Sequence, residues 1–214
     1  PTARSHVLIT RDGQRTMHTY LGACTELGLA DITGETIGVP HAVLLEGYVW
    51  DIAEGPALAR KAGEIARRNG TAVALSLSDS FCAERHRASF AEFVRDGVDI
   101  VIADEDEINA LLGTTAFDET LDALDAYDNL FAMTRSEKGS VIVHGDERIV
   151  QQANPVDEVI DTTGAGDAYT AGFLYGWVND KPLAECARLG TFCGGRVIQQ
   201  IGARIEPGLL DDYS

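Results

Sequence analysis

Val159-Ile160-Asp161-Thr162-Thr163-Gly164-Ala165-Gly166-Asp167-Ala168 is the stretch from which the architecture follows. An apolar pair runs into Asp-Thr-Thr, then Gly-Ala-Gly, then an acid. Small and apolar residues continue from Ala168 to Val178. The order predicts the end of a buried strand, a tight turn and a helix start. Gly164 and Gly166 permit backbone conformations that a Cβ would forbid. Their N–H groups can therefore converge on one spot. The first amides of a helix lack intrahelical acceptors, and the macrodipole makes that end positive. Together these features make a cradle for an anion, a phosphate above all. Asp167 falls in the first helical turn, beside the anion. A carboxylate there can take a proton from a hydroxyl that attacks phosphorus. A plainer reading of the same residues is a tight turn with Asp as helix cap.

Upstream, strands and helices alternate. Val7-Leu8-Ile9-Thr10 reads as a strand, Arg11-Asp12-Gly13-Gln14 as a turn and Arg15 to Leu21 as a second strand. Asp-Gly is a hairpin dipeptide. Residues 24 to 40 read as connecting structure. Strands follow at Ala42–Gly47, Thr71–Leu77 and Asp99–Ala103, with helices at Ala53–Asn69 and Arg85–Arg95 between them. Helices between short apolar strands mean crossover connections, hence a parallel sheet covered on both faces. Beyond these come a short helix at Glu119–Ala126 and strands at Asn129–Thr134, Ser140–His144 and Arg148–Gln151. Leu183, Cys186, Ala187, Gly190, Cys193, Gly194, Val197 and Ile201 share one face of a final helix. Its small residues allow close approach of the preceding helix or of a flat ligand such as adenine, with Gly194 the candidate contact.

Charge narrows the function. The chain of 214 residues carries 34 acids against 17 bases, a net charge of −17. Nucleic acid and anionic membrane both need a basic face, so neither is an expected partner. A small molecule is. Apolar content of 45% and charged content of 24% are ordinary for a soluble globule. No signal-peptide pattern or spanning apolar run occurs. Cys24, Cys82, Cys186 and Cys193 form no Cys-x-x-Cys pair, so buried reduced thiols and a cytoplasmic setting are expected.

The run from Asp161 to Ala168, with Tyr169 and Gly172 after it, resembles the C-terminal signature of the PfkB (ribokinase-like) family of carbohydrate and nucleoside kinases. That resemblance implies an α/β fold, a three-layer α/β/α sandwich on a mainly parallel sheet, with the remnant of a small β lid. Residues 1–214 would then be the C-terminal two-thirds of one domain. Residues 1–23 would supply lid-associated strands, and 40–214 the nucleotide-binding and catalytic core. It implies Asp167 as base and the amides of Gly164, Ala165 and Gly166 as anion hole.

Asp104-Glu105-Asp106-Glu107 resembles the family's Asn-x-x-Glu motif, which implies Mg²⁺ held near Glu107. Asp104 stands where the family has Asn. Acids also suit a helix start on their own account. The segment from Thr134 to Gly139 resembles the Thr-x-Gly-x-x-Gly loop that binds ATP, with Ser136 in place of the first glycine. Asp161, Thr163 and Gly202 correspond to the region that carries a monovalent cation, usually K⁺. Thr16 to Ala23 resembles a segment of adenosine-kinase-like members, which implies an adenosine- or ribose-like acceptor. An edge hairpin accounts for it equally. Fructose, ketodeoxygluconate and pyridoxal-like alcohols stay open as acceptors, as does a nucleotide-binding protein without turnover. A homodimer is among the assemblies admitted.

Overall fold

The computed structural model describes residues 1–205, 207, 208 and 213. The chain divides into two compact units. One comprises Pro1–Cys24, Arg135–Val141 and Ile149–Ser214, the other Thr25–Thr134 and Ile142–Arg148.

The second unit is built on strands β3 (Ala42–Glu46), β4 (Ala72–Ser76), β5 (Ile100–Asp104) and β6 (Leu130–Thr134), which are parallel and adjacent in sequence order. Val43 lies opposite Val73, Ala74 opposite Ile100, and Ile102 opposite Ala132. Parallel pairing follows from long crossovers. These carry α2 (Gly55–Arg68), α3 (Ser80–Arg85), α4 (Arg87–Gly97), α5 (Glu105–Leu112) and α6 (Phe117–Ala123). Val73-Ala74-Leu75, Ile100 to Ala103 and Leu130 to Met133 are buried without alternation, as strands covered on both faces must be. On α2, Leu58, Ala59, Ala62, Gly63 and Ala66 make the buried face, with Pro56 tolerated in the first turn. The sheet order continues β3-β4-β5-β6-β7-β8, with β7 at Ser140–His144 and β8 at Glu147–Gln151. Their short connections allow only hairpins, so parallel pairing ends at β6.

Two expectations change in this unit. The helix expected over Arg85–Arg95 is a pair, α3 and α4, that meet at His86. The Asp79 side chain accepts from the Cys82 N–H at 2.7 Å and starts α3 early. The stretch 24 to 40 holds α1 (Gly34–Ile37) and two 3-10 turns. Thr33 caps α1 through the Thr36 N–H at 3.1 Å.

The first unit contains β1 (Arg4–Ile9) and β2 (Arg15–Tyr20), antiparallel, with Arg4 opposite Tyr20 and Ile9 opposite Arg15. Its main mass is α7 (Ala165–Val178) against α8 (Leu183–Val197). Small residues set their spacing. A Cβ on Gly172 would stand 2.6 Å from the Leu189 carbonyl oxygen, and one on Gly190 2.9 Å from the Tyr169 ring. Cys186 and Cys193 are buried in this contact; all four cysteines are free thiols, and Cys24, against expectation, is exposed.

A further correction concerns the approach to the quoted stretch. Val159 and Ile160 form no strand and are each 37% exposed. The backbone from Ile160 to Thr162 is held by isolated contacts: the Ile160 and Asp161 N–H groups donate to the Ile198 carbonyl at 2.8 and 3.3 Å, and the Thr162 N–H to the Gly13 carbonyl at 3.2 Å. The partner is the end of α8 and the tip of the hairpin, not a neighbouring strand. Among the described residues no helix is long and apolar enough to cross a membrane.

Because the α7–α8 contact has no room at its glycines, Gly190→Ala should destabilise the protein by about 1–3 kcal/mol, the usual cost of overpacking. Thermal unfolding of the variant beside the parent measures this, and an unchanged midpoint contradicts the close approach.

Candidate active site

Asp161 organises the loop before α7. It is 1% exposed. Its Oδ1 accepts from the Thr163 N–H at 2.9 Å and from the Thr163 hydroxyl at 2.6 Å. Oδ2 accepts from the Gly202 N–H at 2.9 Å. One carboxylate thus folds its own loop and pins it to the turn after α8. Burial pushes the Asp161 carboxyl up, but the Thr163 and Gly202 hydrogen bonds and the charge of Arg15 outweigh it. The net shift is downward. The structure therefore brings Asp161, Thr163 and Gly202, the set expected around a monovalent cation, into one hydrogen-bonded group.

Thr162 adds a second anchor. Its hydroxyl donates to the Gly13 carbonyl at 3.1 Å and accepts from Arg15 Nη1 at 3.0 Å. No local pattern could have announced that tie, because Arg15 and Thr162 are 147 residues apart.

The two glycines of the loop differ in kind. Gly164 is the N-cap of α7 with φ of 80°, and an added Cβ would lie 2.6 Å from the Ala203 Cβ. Both backbone and space demand glycine there. Gly166 is in α7, and a Cβ on it would meet nothing within 4 Å. Among the described residues neither strain nor packing accounts for a glycine at 166. An open position of this kind at a helix N-terminus suits a ligand that approaches the backbone itself.

The amides sort likewise. Ala165 N–H donates to the Thr162 carbonyl at 3.2 Å and so closes the turn. Among the described residues the Gly164, Gly166 and Asp167 N–H groups have no recorded acceptor. Gly166 and Asp167 are exposed on the first turn of α7. Carboxylate and open amides thus share one turn, an arrangement able to hold an anion and take a proton beside it. Gly194 lies against that turn: its added Cβ would be 3.4 Å from the Ala165 carbonyl oxygen.

Thr134 ends β6 and is half-buried. In the loop after it, Arg135 N–H donates to the Gly139 carbonyl at 2.8 Å. Ser136 has φ of 50°, a left-handed backbone conformation that favours glycine. Gly139, with φ of 85°, has no alternative, because a Cβ there would come 2.0 Å from the Gln151 carbonyl oxygen.

In the other unit, Asp104 and Glu107 form a reciprocal cap on α5. Asp104 Oδ1 accepts from the Glu107 N–H, and Glu107 Oε2 from the Asp104 N–H, both at 2.8 Å. Glu107 is nevertheless buried, and burial, with the Asp104 and Asp79 charges, pushes it up to about 8. Among the described residues no ion pair answers Asp79, Asp104 or Glu107. Tyr48 belongs to the same surroundings: burial, then Asp79, raise its hydroxyl well above the ordinary range. Sequence reading passed over Asp79 and Tyr48. For Asp79 a signal existed, an Asp-Ser pair before an apolar segment, which is a helix start. For Tyr48 there was none.

The model of the pfkB family of carbohydrate kinases matches residues 1–208. The crystal structure of adenosine kinase from Sinorhizobium meliloti superposes with a TM-score of 0.94 at 45% identity, over 99% of this chain and 65% of that one. A probable sugar kinase from Rhizobium etli gives 0.94 at 42% identity, over 99% and 64%. The cytidine kinase of Thermococcus kodakarensis is 30% identical over 185 residues, 84% of this chain and 65% of its own. The fold is ribokinase-like α/β. The chain spans less than two thirds of the length of these relatives, 65% at most.

Two outcomes test the site as built. Gly166→Ala should leave thermal stability unchanged or raise it by up to ~1 kcal/mol, since alanine is the better helix former, and should abolish binding of a phosphate-bearing ligand. Gly164→Ala should destabilise outright. Asp161→Asn should cost about 1–3 kcal/mol at neutral pH. Because the folded carboxyl titrates below its unfolded value, its contribution is complete above the ordinary carboxylate range. It is lost as pH falls through the folded value, so parent and variant should converge in acid. Denaturant titrations across pH read the difference, and a gap that persists at the acid end contradicts the assignment.

Proposed function

The chain belongs to the pfkB family of carbohydrate kinases, and from that premise we propose that it carries the catalytic part of an ATP-dependent kinase. The acceptor is a hydroxyl of a small sugar or nucleoside. One observation carries the reading: Gly166 is a glycine with open space around it, on the same turn as the exposed carboxylate of Asp167.

Phosphoryl transfer asks the protein chiefly for positioning and for stabilisation of charge on the transferring group. The Gly164 and Gly166 amides hold the anion, and the Ala165 amide holds the turn in shape. The Asp167 carboxylate orients the acceptor hydroxyl and takes its proton. The loop of Ser136 and Gly139, after Thr134, serves the nucleotide. Mg²⁺, when bound, neutralises charge on the phosphate oxygens. Glu107, with Asp104, offers hard carboxyl oxygens among acidic groups that no cationic side chain among the described residues answers, which fits such an ion. Asp161, Thr163 and Gly202 would take K⁺.

For the acceptor, a nucleoside is favoured. The S. meliloti relative bears the name adenosine kinase and the T. kodakarensis relative the name cytidine kinase. A sugar remains the second reading, favoured by the probable sugar kinase from R. etli.

Asp167→Asn should bind ATP and yet turn over at least 100-fold more slowly, given the usual size of general-base effects. ADP release by the full-length protein, over a panel of nucleosides and sugars, measures this. Turnover equal to the parent's removes the role given to Asp167.

A further inference from the structure

At the C-terminal end of α3, Asp51, Cys82 and His86 bring a carboxylate oxygen, a thiol sulfur and an imidazole nitrogen within 4.8 Å of one another. We propose that these three residues bind a zinc-class divalent cation, with water completing the coordination where Asp51 is exposed. None of them is among the residues given a part in the proposed phosphoryl transfer.

The backbone prepares the group. Cys82 lies in α3 and His86 is its C-cap, four positions on, so both side chains project from the same face one turn apart. Asp51 closes the 3-10 turn Gly47–Asp51, which packs on α3. His86 Nε2 lies 2.7 Å from Asp51 Oδ1; that contact must open, and the imidazole must be neutral with its proton on Nδ1, before both atoms can turn to one ion. Arg85 holds the same carboxylate with Nε on Oδ1 at 3.1 Å and Nη2 on Oδ2 at 2.8 Å. A partner of this kind orients a ligating carboxylate.

One sulfur, one nitrogen and one oxygen suit zinc or cobalt, whereas Mg²⁺ takes oxygen alone. Ligand atoms around a tetrahedral zinc stand about 3.3–3.8 Å apart. No gap in the group exceeds 4.8 Å, so none need close by more than about 1 Å, and the His86–Asp51 contact must open by about half an ångström or more, both within reach of side-chain rotation. The Cys82 thiol is buried, with Sγ 3.4 Å from the Gly47 carbonyl oxygen. Burial pushes it up to about 11, so the incoming cation displaces its proton to solvent as the metal–sulfur bond forms. The competing account is that Asp51 serves Arg85 and His86 as an ion-pair partner and Cys82 only fills space. That account provides no metal–thiolate bond.

Cobalt(II) titration of the full chain, under a non-thiol reductant, separates the two. A site built as proposed gives the d–d bands of a tetrahedral ion and a thiolate-to-cobalt charge-transfer band, both removed by added zinc. Cys82→Ser should lose the charge-transfer band, and His86→Gln should bind cobalt at least tenfold more weakly. Cys24→Ser, which removes the exposed thiol, should change nothing. Should Cys82→Ser melt early without metal, His86→Gln alone decides, because that ring is only half-buried. A spectrum of hexaaquo cobalt, or a charge-transfer band that survives Cys82→Ser, or unweakened binding by His86→Gln, overturns the proposal.

Discussion

The carboxylate of Asp161 is the constraint on which the loop before α7 depends. It is buried, and it stays charged because three donors surround it: the Thr163 amide, the Thr163 hydroxyl and the Gly202 amide. Isolated burial of a carboxylate is expensive, and hydrogen bonds to the charged form reverse that cost. The outcome is mechanical. Thr162, Thr163 and Gly164 have one available path, and α7 can start only where that path ends. Were the carboxylate absent, the turn after α8 would lose its tie to the loop.

Local devices of this sort answer a problem posed by the charge. A protein with a net charge of −17 cannot attract a nucleotide by its overall field. Backbone N–H groups and a helix N-terminus carry partial positive charge that no acidic surface cancels at contact distance. Glu107 shows the same logic with opposite sign: capping α5 uses one of its oxygens, and its burial among acids leaves a preference for a proton or a cation. One residue both caps a helix and sits buried among acids, so the helix-start reading of the acidic run and the proposed cation reading do not compete.

Glycine carries three separate meanings here. Gly172 and Gly190 are spacers that let α7 and α8 touch. Gly164 and Gly139 are conformational, with positive φ and no room for a side chain. Gly166 is neither, and for that reason it is the informative one. Ser136 completes the comparison. It keeps a positive φ without being glycine, so the loop shape is imposed by its closure from Arg135 to Gly139 and not by residue type.

Elements with a strong local signal were legible in the chain. The unbroken apolar runs of β4, β5 and β6, the long crossovers and the periodic face of α2 together determine a parallel α/β sheet, because each pattern has one way to bury itself. The start of α7, the Asp104–Glu107 cap and the expectation of a small-molecule partner follow from local chemistry alone. Tertiary structure decided what no window of residues contains. Val159 and Ile160 read as a strand, but the Ile160 and Asp161 amides met the end of α8 and the Thr162 amide the hairpin tip, and among the described residues no strand pairs with them. The tie from Arg15 to Thr162 and the meeting of Asp51 with Cys82 and His86 depend on residues brought from afar. Sequence spacing sets what a residue can do locally, while burial and distant donors select which of those possibilities is realised.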